Sequence, residues 1–410
     1  MLMTKQNLNS VIEPEREIAV IENPDLLVVG GGPAGIAAAL SASRCGLKTL
    51  VVERYNHLGG LWTGGLVLPL LSTHAVNQSG QKQKVIFGVA EEITQGLNSM
   101  GMAIREENPI VDPEAAKYLF DQLLEQAGVQ VLFHCWASNI LINDRKITTV
   151  IIESKSGKLA IQPKFVVDAT GDGDIFAWAG EDYTNLPYHI GLVHRLGNVD
   201  QVETELVEKT GKELGDPTPL PGVRWVNMRG EDGSDGLDIY TLSRLTREAR
   251  RSIWEKVQRL KQMPGCEKIF LLDTASQTGV RATRLLEGQY QLTLEDSFTY
   301  KQFPDVIGLC GAWREIKYRG AMVPRNERPV WQIPLRSIIP RKTANLVVAG
   351  RCFSYKAALA EDARIIGAAL LTGHAAGAAA AVGLREGVSI QEVDSTSVQK
   401  YLLDQGAFLG

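Results

Sequence analysis

The sequence holds no Cys-x-x-Cys pair, and its five cysteines (Cys45, Cys135, Cys266, Cys310 and Cys352) are odd in number and far apart. That pattern excludes a disulfide scaffold, a four-thiolate zinc site and a dithiol redox centre, and no metal site is expected. Neither sign of charge dominates. The 43 basic and 47 acidic residues leave a net charge of -4, so nothing electrostatic points to nucleic acid. The stretch MLMTKQNLNSVIEPERE lacks the apolar run of a signal peptide and the twin arginine of an export signal, which predicts a cytoplasmic protein. Only Ile365–Val382 approaches the length of a membrane span. It is mainly alanine, with Thr372, Gly373, His374 and Gly377, and reads as a buried, tightly packed helix. Collagen-like and low-complexity readings fail because the 40 glycines sit in pairs and short motifs. At 410 residues and 44% hydrophobic, the chain is long enough for two or three domains with an ample core.

The hydrophobic pattern gives an α/β organisation. After an N-terminal extension over 1–22, in which EIAVIE is a candidate edge strand, LLVV is a continuous apolar run of the kind a parallel strand covered on both faces requires. GGGPAG follows, then a small-residue helix stopped by Gly46, then the strand TLVVE ending at Glu53. Asp112 and Pro113 open a helix as N-cap and first helical residue, with Gly128 beyond its end. From Val129 to Ala169 the period changes to strands, predicting one more sheet strand, a small β-meander and a return into the sheet. Residues 183–330 are rich in Gly, Asp and Pro loops and carry a long amphipathic helix near Leu242–Gln262, which predicts an inserted α+β substrate domain. A Rossmann-like domain is then expected over 23–182, completed by 331–410, where NLVVAG restores the strand pattern.

Gly30-x-Gly32-x-x-Gly35 lies between a strand and a helix, the context a dinucleotide fingerprint requires. The first glycine permits the tight turn, the second lets backbone approach a pyrophosphate, and the third lets helix pack on strand. The helix N-terminus favours the phosphates. Glu53, at the end of the second strand, can accept hydrogen bonds from a ribose diol and would repel a 2′-phosphate. FAD and NAD both use this spacing. VVDATGDGD and NLVVAGRC are further strand ends with bare backbone, as a long cofactor laid across one sheet needs.

GGGPAGIAAALSASRCGLKTLVVER, LGG, VVDATGDGD, IPLRSIIP and NLVVAGRCFS, in that order, together with GVRATRLLEGQYQLTLED, resemble the FAD-dependent oxidoreductase family and its glutathione-reductase-like FAD fold. The resemblance implies extended FAD with Glu53 on the adenosine ribose and Gly30, Gly32 and Gly35 under the pyrophosphate. It implies Gly171, Gly350 and Arg351 further along the cofactor, and a helix carrying Gly373 directed at the flavin. Pro33, Ala34, Arg54, Gly60, Leu61 and Asp172 belong to the same cofactor-binding motifs. Many relatives carry a histidine near Trp313–Ile316, where this chain reads WREI.

Flavin chemistry on an alcohol or amine calls for a base near neutral pKa, which directs attention to histidine. Of the six, His194 is the first choice and His74, after the Gly-rich segment, the second. His57 and Cys352 are weighed as covalent tethers for the flavin. Arg281, with Arg284, Arg336 and Arg364, is a candidate for binding an acidic substrate. No second Gly-x-Gly-x-x-Gly follows a strand, so the expected electron acceptor is oxygen, a quinone or a partner protein. The expected activity is hydride transfer between flavin and a small-molecule substrate. An NAD-dependent dehydrogenase and an electron-transfer subunit are the competing readings, and the reading allows a homo-oligomer.

Overall fold

Leu26–Val29 (β1) is buried at every position, and the chain leaves it through Gly30 into the helix Pro33–Arg44 (α1). Strand Thr49–Val52 (β2) follows, then helix Pro113–Gln126 (α2), where Asp112 accepts the amides of Glu114 and Ala115. Next come Gln130–Leu132 (β3), a meander of Trp136–Asn143 (β4), Lys146–Ser154 (β5) and Gly157–Ile161 (β6), and Phe165–Asp168 (β7). A second region has Tyr188–Gly197 (β8), Arg224–Ser234 (β9), helix Ile239–Lys261 (α3) and Phe270–Thr274 (β10). Leu346–Val348 (β11) and the helix Ile366–Glu386 (α4) then return to the first region. This computed structural model describes residues 10–210 and 213–410.

The central sheet is parallel, in the order β11-β7-β1-β2-β3. The meander β4–β6 lies beside it, and Val20–Glu22, the predicted edge strand, pairs in parallel with β6. In the second region β8 pairs antiparallel with β9 and β10, and α3 lays its buried residues Leu245, Ile253, Val257 and Leu260 on that sheet. This sheet-and-helix layer runs from 188 to about 280. Leu285, Leu292, Phe303 and Ile307 join the core around α1 and α4, and Val306–Cys310 pairs with Trp331–Pro334. The short strands of this segment, such as VIGLC, carry no sign of which core they join.

Helix α4 is long and apolar enough to cross a membrane, yet its apolar stretch is wholly buried. It crosses α1 at very short range. A Cβ on Gly373 would lie 2.1 Å from the Ala34 carbonyl oxygen, and one on Gly377 2.3 Å from that of Ala38. Only hydrogen at these two positions lets the helix backbones meet.

Two buried groups in this core titrate in opposite directions. Burial, against the Gln405 hydrogen bond at 3.2 Å, lowers His374 to about 4. From pH 6.5 downward the unfolded chain therefore takes up a proton that the native chain refuses, and stability falls as pH falls. Asp168 is raised by burial to about 6, against hydrogen bonds from Thr170 and Phe176. The native chain keeps that proton while the unfolded chain loses it, so stability falls as pH rises between about 4 and 6. Each difference corresponds to about 3 kcal/mol, and in the wild type they offset each other. His374→Gln should gain about 3 kcal/mol relative to wild type on going from pH 7 to pH 4, read by urea unfolding. Parallel pH profiles for the two proteins would refute the assignment.

Candidate functional site

The carboxyl ends of β1, β7 and β11 open into one cleft of about 950 Å³, counting its open mouth. Ligands of parallel sheets bind at this edge because bare loop backbone and helix N-termini meet there. Gly30 has φ +106°, and a Cβ on it would lie 2.4 Å from the Ala169 oxygen, so the turn admits glycine alone. Gly35 is tighter still, with its Cβ position 1.8 Å from the Gly30 oxygen. Gly32, by contrast, is the N-cap of α1, and a Cβ there meets nothing within 4 Å. Its open side faces the cleft, and Gly60 packs directly beside it, with its Cβ position 3.1 Å from the Gly32 Cα.

Glu53 is buried at the end of β2. Its Oε2 accepts the Gly31 amide at 2.7 Å and its Oε1 the Tyr55 amide at 2.9 Å. Each carboxylate oxygen can accept a further bond, and the side chain lines the cleft. Beside it the Arg54 guanidinium lies 5.0 Å from the Tyr55 ring centre and 4.9 Å from that of Trp136. Gly171 and Gly350 line the same cleft with Arg351. The Arg351 Nη2 donates to Asp172 Oδ1 at 2.7 Å, and Arg284 holds the same loop through the Asp172 carbonyl and Asp174, both at 2.9 Å. The remaining wall comes from Leu61, Trp62, Gln277, Arg364, Ile366 and Ala369. Gln277 is 8% exposed and its Oε1 accepts no hydrogen bond, and the buried Nε of Arg364 also lacks a partner.

Most of the residues expected at the cofactor thus line one cleft: Gly30, Gly32, Pro33, Ala34, Glu53, Arg54, Gly60, Leu61, Gly171, Gly350 and Arg351. Three do not, each for a packing reason. Gly35 seats α1 against its own turn, Asp172 is engaged by Arg351 and by Thr283 at 2.9 Å, and Gly373 lies at the helix crossing. The end of α4 that reaches the cleft is Ile366 and Ala369, a turn or two earlier.

The structure places the residues expected to be catalytic away from the cleft wall. His194 is buried on β8 in a separate cavity under α3, with Ile190, Leu245, Ile253 and Lys256. His74 sits half-buried on a short strand, its Nδ1 3.0 Å from the Thr73 hydroxyl, and is not part of the cleft wall. Among the described residues no histidine lines the cleft. Nor do the tether candidates: His57 is stacked on Tyr55 and turned toward Leu58 and Thr63, and Cys352 is buried behind the wall. Arg281 also stands behind the wall, 4.0 Å from Glu361, whose other carboxylate oxygen accepts Arg364 at 3.0 Å. Arg336 is bound to Asp305 elsewhere. Gln277 and Trp136 went unnoticed in the sequence because neither belongs to a motif.

A bare-backbone turn at a helix N-terminus, further glycines at positions 60, 171 and 350 along the same cleft and a ribose-competent carboxylate make a cradle that fits FAD. The family model described as FAD dependent oxidoreductase matches residues 25–185 and 195–402. The thiamine thiazole synthase of Methanococcus vannielii is 28% identical over 187 residues, covering 41% of this chain and 63% of that protein. That of Aeropyrum pernix is 28% identical over 204 residues, 46% of this chain and 68% of the other. This chain therefore spans less than two thirds of the first relative's length. Among solved structures, a geranylgeranyl bacteriochlorophyll reductase-like protein of Thermoplasma acidophilum has a TM-score of 0.49 at 16% identity, over 93% of this chain and 82% of that one. The p-nitrophenol 4-monooxygenase of Pseudomonas putida has a TM-score of 0.47 at 13% identity, over 94% and 84%. With FAD as the cofactor, the NAD-dependent reading falls, and the chain belongs to the FAD-dependent oxidoreductase family.

Proposed function

We propose that this oxidoreductase exchanges a hydride with a small organic substrate seated at the Gln277–Arg364 end of the cleft, and that its electrons leave to oxygen, a quinone or a partner protein. The observation that carries the reading is that Gln277 and Arg364 line the cleft together with the apolar Leu61, Trp62, Ile366 and Ala369, and that the buried Gln277 Oε1 and Arg364 Nε have no hydrogen-bond partner in the protein. Buried polar atoms without partners are costly, and a ligand that satisfies them recovers that cost. FAD supplies two-electron chemistry when bound. Glu53 would hold its ribose, while the Gly30–Gly32 turn, Gly60 and the Gly171 and Gly350 walls would hold its phosphates and ribityl chain.

The apolar side chains exclude water from the substrate end, and Gln277 and Arg364 orient what enters. Glu361 is a fixed counter-ion rather than a base. Burial would raise its pKa, but Arg364, the Tyr188 hydroxyl, Arg314 and Arg281 together hold it below the usual carboxylate range. Among the described residues no histidine lines the wall, so the acceptor this proposal gives the exchanged proton is water at the open mouth. The absence of a second nucleotide fingerprint supports an acceptor other than a nicotinamide, and the free cysteines support a reducing, cytoplasmic setting.

The test is anaerobic reduction of the bound flavin, followed at its visible absorption band, across a panel of small alcohols, amines and acids. Acid precipitation before the assay should release all the flavin into the supernatant, since neither His57 nor Cys352 lines the cleft. Bleaching by one substrate class, with turnover by the isolated chain on an artificial acceptor, is the expected result. Flavin that no panel member reduces, in a chain inert toward artificial acceptors, would favour the electron-transfer subunit instead.

A further inference from the structure

Behind Arg364 the chain gathers three guanidinium groups around one carboxylate. The Glu361 carboxylate accepts Arg364 Nη2 at 3.0 Å, has Arg314 Nη1 at 3.4 Å and Arg281 Nη1 at 4.0 Å, and also takes the hydrogen of the Tyr188 hydroxyl. The adjacent Asp362 adds no charge to the balance, because Arg328 pairs with it in the core. Three cations against one anion leave the cluster two positive charges in excess. Arg281 registers the imbalance: burial, and then Arg364, push its pKa down from the ordinary value. Tyr188 packs its ring 5.9 Å under the Arg364 guanidinium and fixes that side chain at the wall. Arg364 and Gln277 both line the cleft, and the buried Arg364 Nε and Gln277 Oε1 have no hydrogen-bond partner within the protein.

We propose that this end of the cleft is a carboxylate subsite, and that the substrate is a small organic acid which also carries an O–H or N–H donor, a hydroxy acid or an amino acid. The assignment rests on the flavin-dependent reading above and names its substrate class. A carboxylate entering beside Arg364 balances the excess charge and accepts the free Nε–H, and the substrate's own hydroxyl or amine satisfies Gln277. Neutral substrates of the same shape leave the cluster uncompensated, which is the penalty that sets specificity.

The experiment titrates the FAD-loaded protein with lactate, malate and mandelate, each paired with propionate, succinate or phenylacetate and with its own amide, at constant ionic strength held with chloride. The readout is perturbation of the flavin absorption band, which needs no turnover. At least one hydroxy acid is expected to bind saturably and more tightly than its deoxy partner, with its amide silent. Arg281→Gln and the more exposed Arg314→Gln should each weaken acid binding, Arg281→Gln by about tenfold or more, and Gln277→Leu should remove the preference for the hydroxy acid. The proposal is overturned if no acid perturbs the flavin, if the amides bind as well as the acids, or if both arginine variants bind as wild type does. A chain that purifies and reconstitutes without flavin would instead remove the oxidoreductase reading itself, so the two failures look different.

Discussion

Gly32→Val is expected to yield a folded protein that holds no flavin, whereas Gly35→Ala should not fold at all. The two glycines are three residues apart in one motif, and the physical demands on them differ. A side chain at position 32 projects from extended backbone into open space, with nothing within 4 Å, so the protein itself has no reason to object. That space is the cleft in front of the α1 N-terminus, where phosphate oxygens must reach backbone N–H groups. An isopropyl group there should weaken flavin binding about a hundredfold or more, equivalent to about 3 kcal/mol. At position 35 even a methyl group would sit 1.8 Å from the Gly30 oxygen, and the atom it meets is backbone that cannot rotate away. Overpacking against rigid neighbours costs about 1–3 kcal/mol in ordinary cores and more where no side chain can yield. The ratio of flavin absorbance to protein absorbance, with thermal unfolding of the apoprotein, separates the cases. If Gly32→Val purifies with full flavin, the cofactor does not lie on this turn.

Arg328→Met should destabilise the protein by about 3–5 kcal/mol, the usual cost of stranding one partner of a buried ion pair. Arg328 and Asp362 have side chains 1% and 0% exposed and are hydrogen-bonded to each other. Arg328 also donates to the Arg314 carbonyl at 3.1 Å and lies 5.2 Å from the Phe298 ring centre, while Asp362 accepts the Trp313 amide at 3.4 Å. Removing the guanidinium leaves a carboxylate in the core, already pushed up by burial, with only that long amide contact. Arg328→Met combined with Asp362→Leu removes both charges and should recover most of the loss. Urea midpoints for the single and double variants measure this directly. A single variant as stable as wild type would mean the pair is solvated and the segment 311–330 is not anchored here.

The parts of the fold legible in the sequence are those with local causes. The turn from β1 into α1, the Asp112 cap with Pro113, and the meander each follow from a few neighbouring residues, and all lie where the pattern places them. His194 shows where local reasoning stops. In an ordinary half-buried strand, alternation tells which side faces a ligand, but β8 is buried at nearly every position. Ile190, Leu192 and His194 share the α3 side, while the neighbouring Arg195 on the other face pairs with Asp273 at 2.5 Å. Nothing in the order of residues announces that choice. Gly373 carries a second lesson: a glycine in an alanine-rich helix permits close approach by a ligand or by another helix, and only the position of α1 decides between them. Gln277 and Trp136 required the opposite information, since both become part of the cleft only when distant segments meet.

The crossing of α1 and α4 also bears on how the molecule comes into being. Ala34 and Gly373 are roughly 340 residues apart in the sequence, yet they touch, and β11 must insert beside β7 before the Gly350 wall exists. On a ribosome adding about 5–20 residues per second, the first helix waits on the order of tens of seconds for its partner. Through that interval its small apolar face and the edge of β7 stand exposed, the kind of surface that chaperones hold and that aggregation exploits. Flavin can bind the complete cleft only after that wait, so cofactor loading follows the emergence of β11 and α4 rather than that of the fingerprint turn itself.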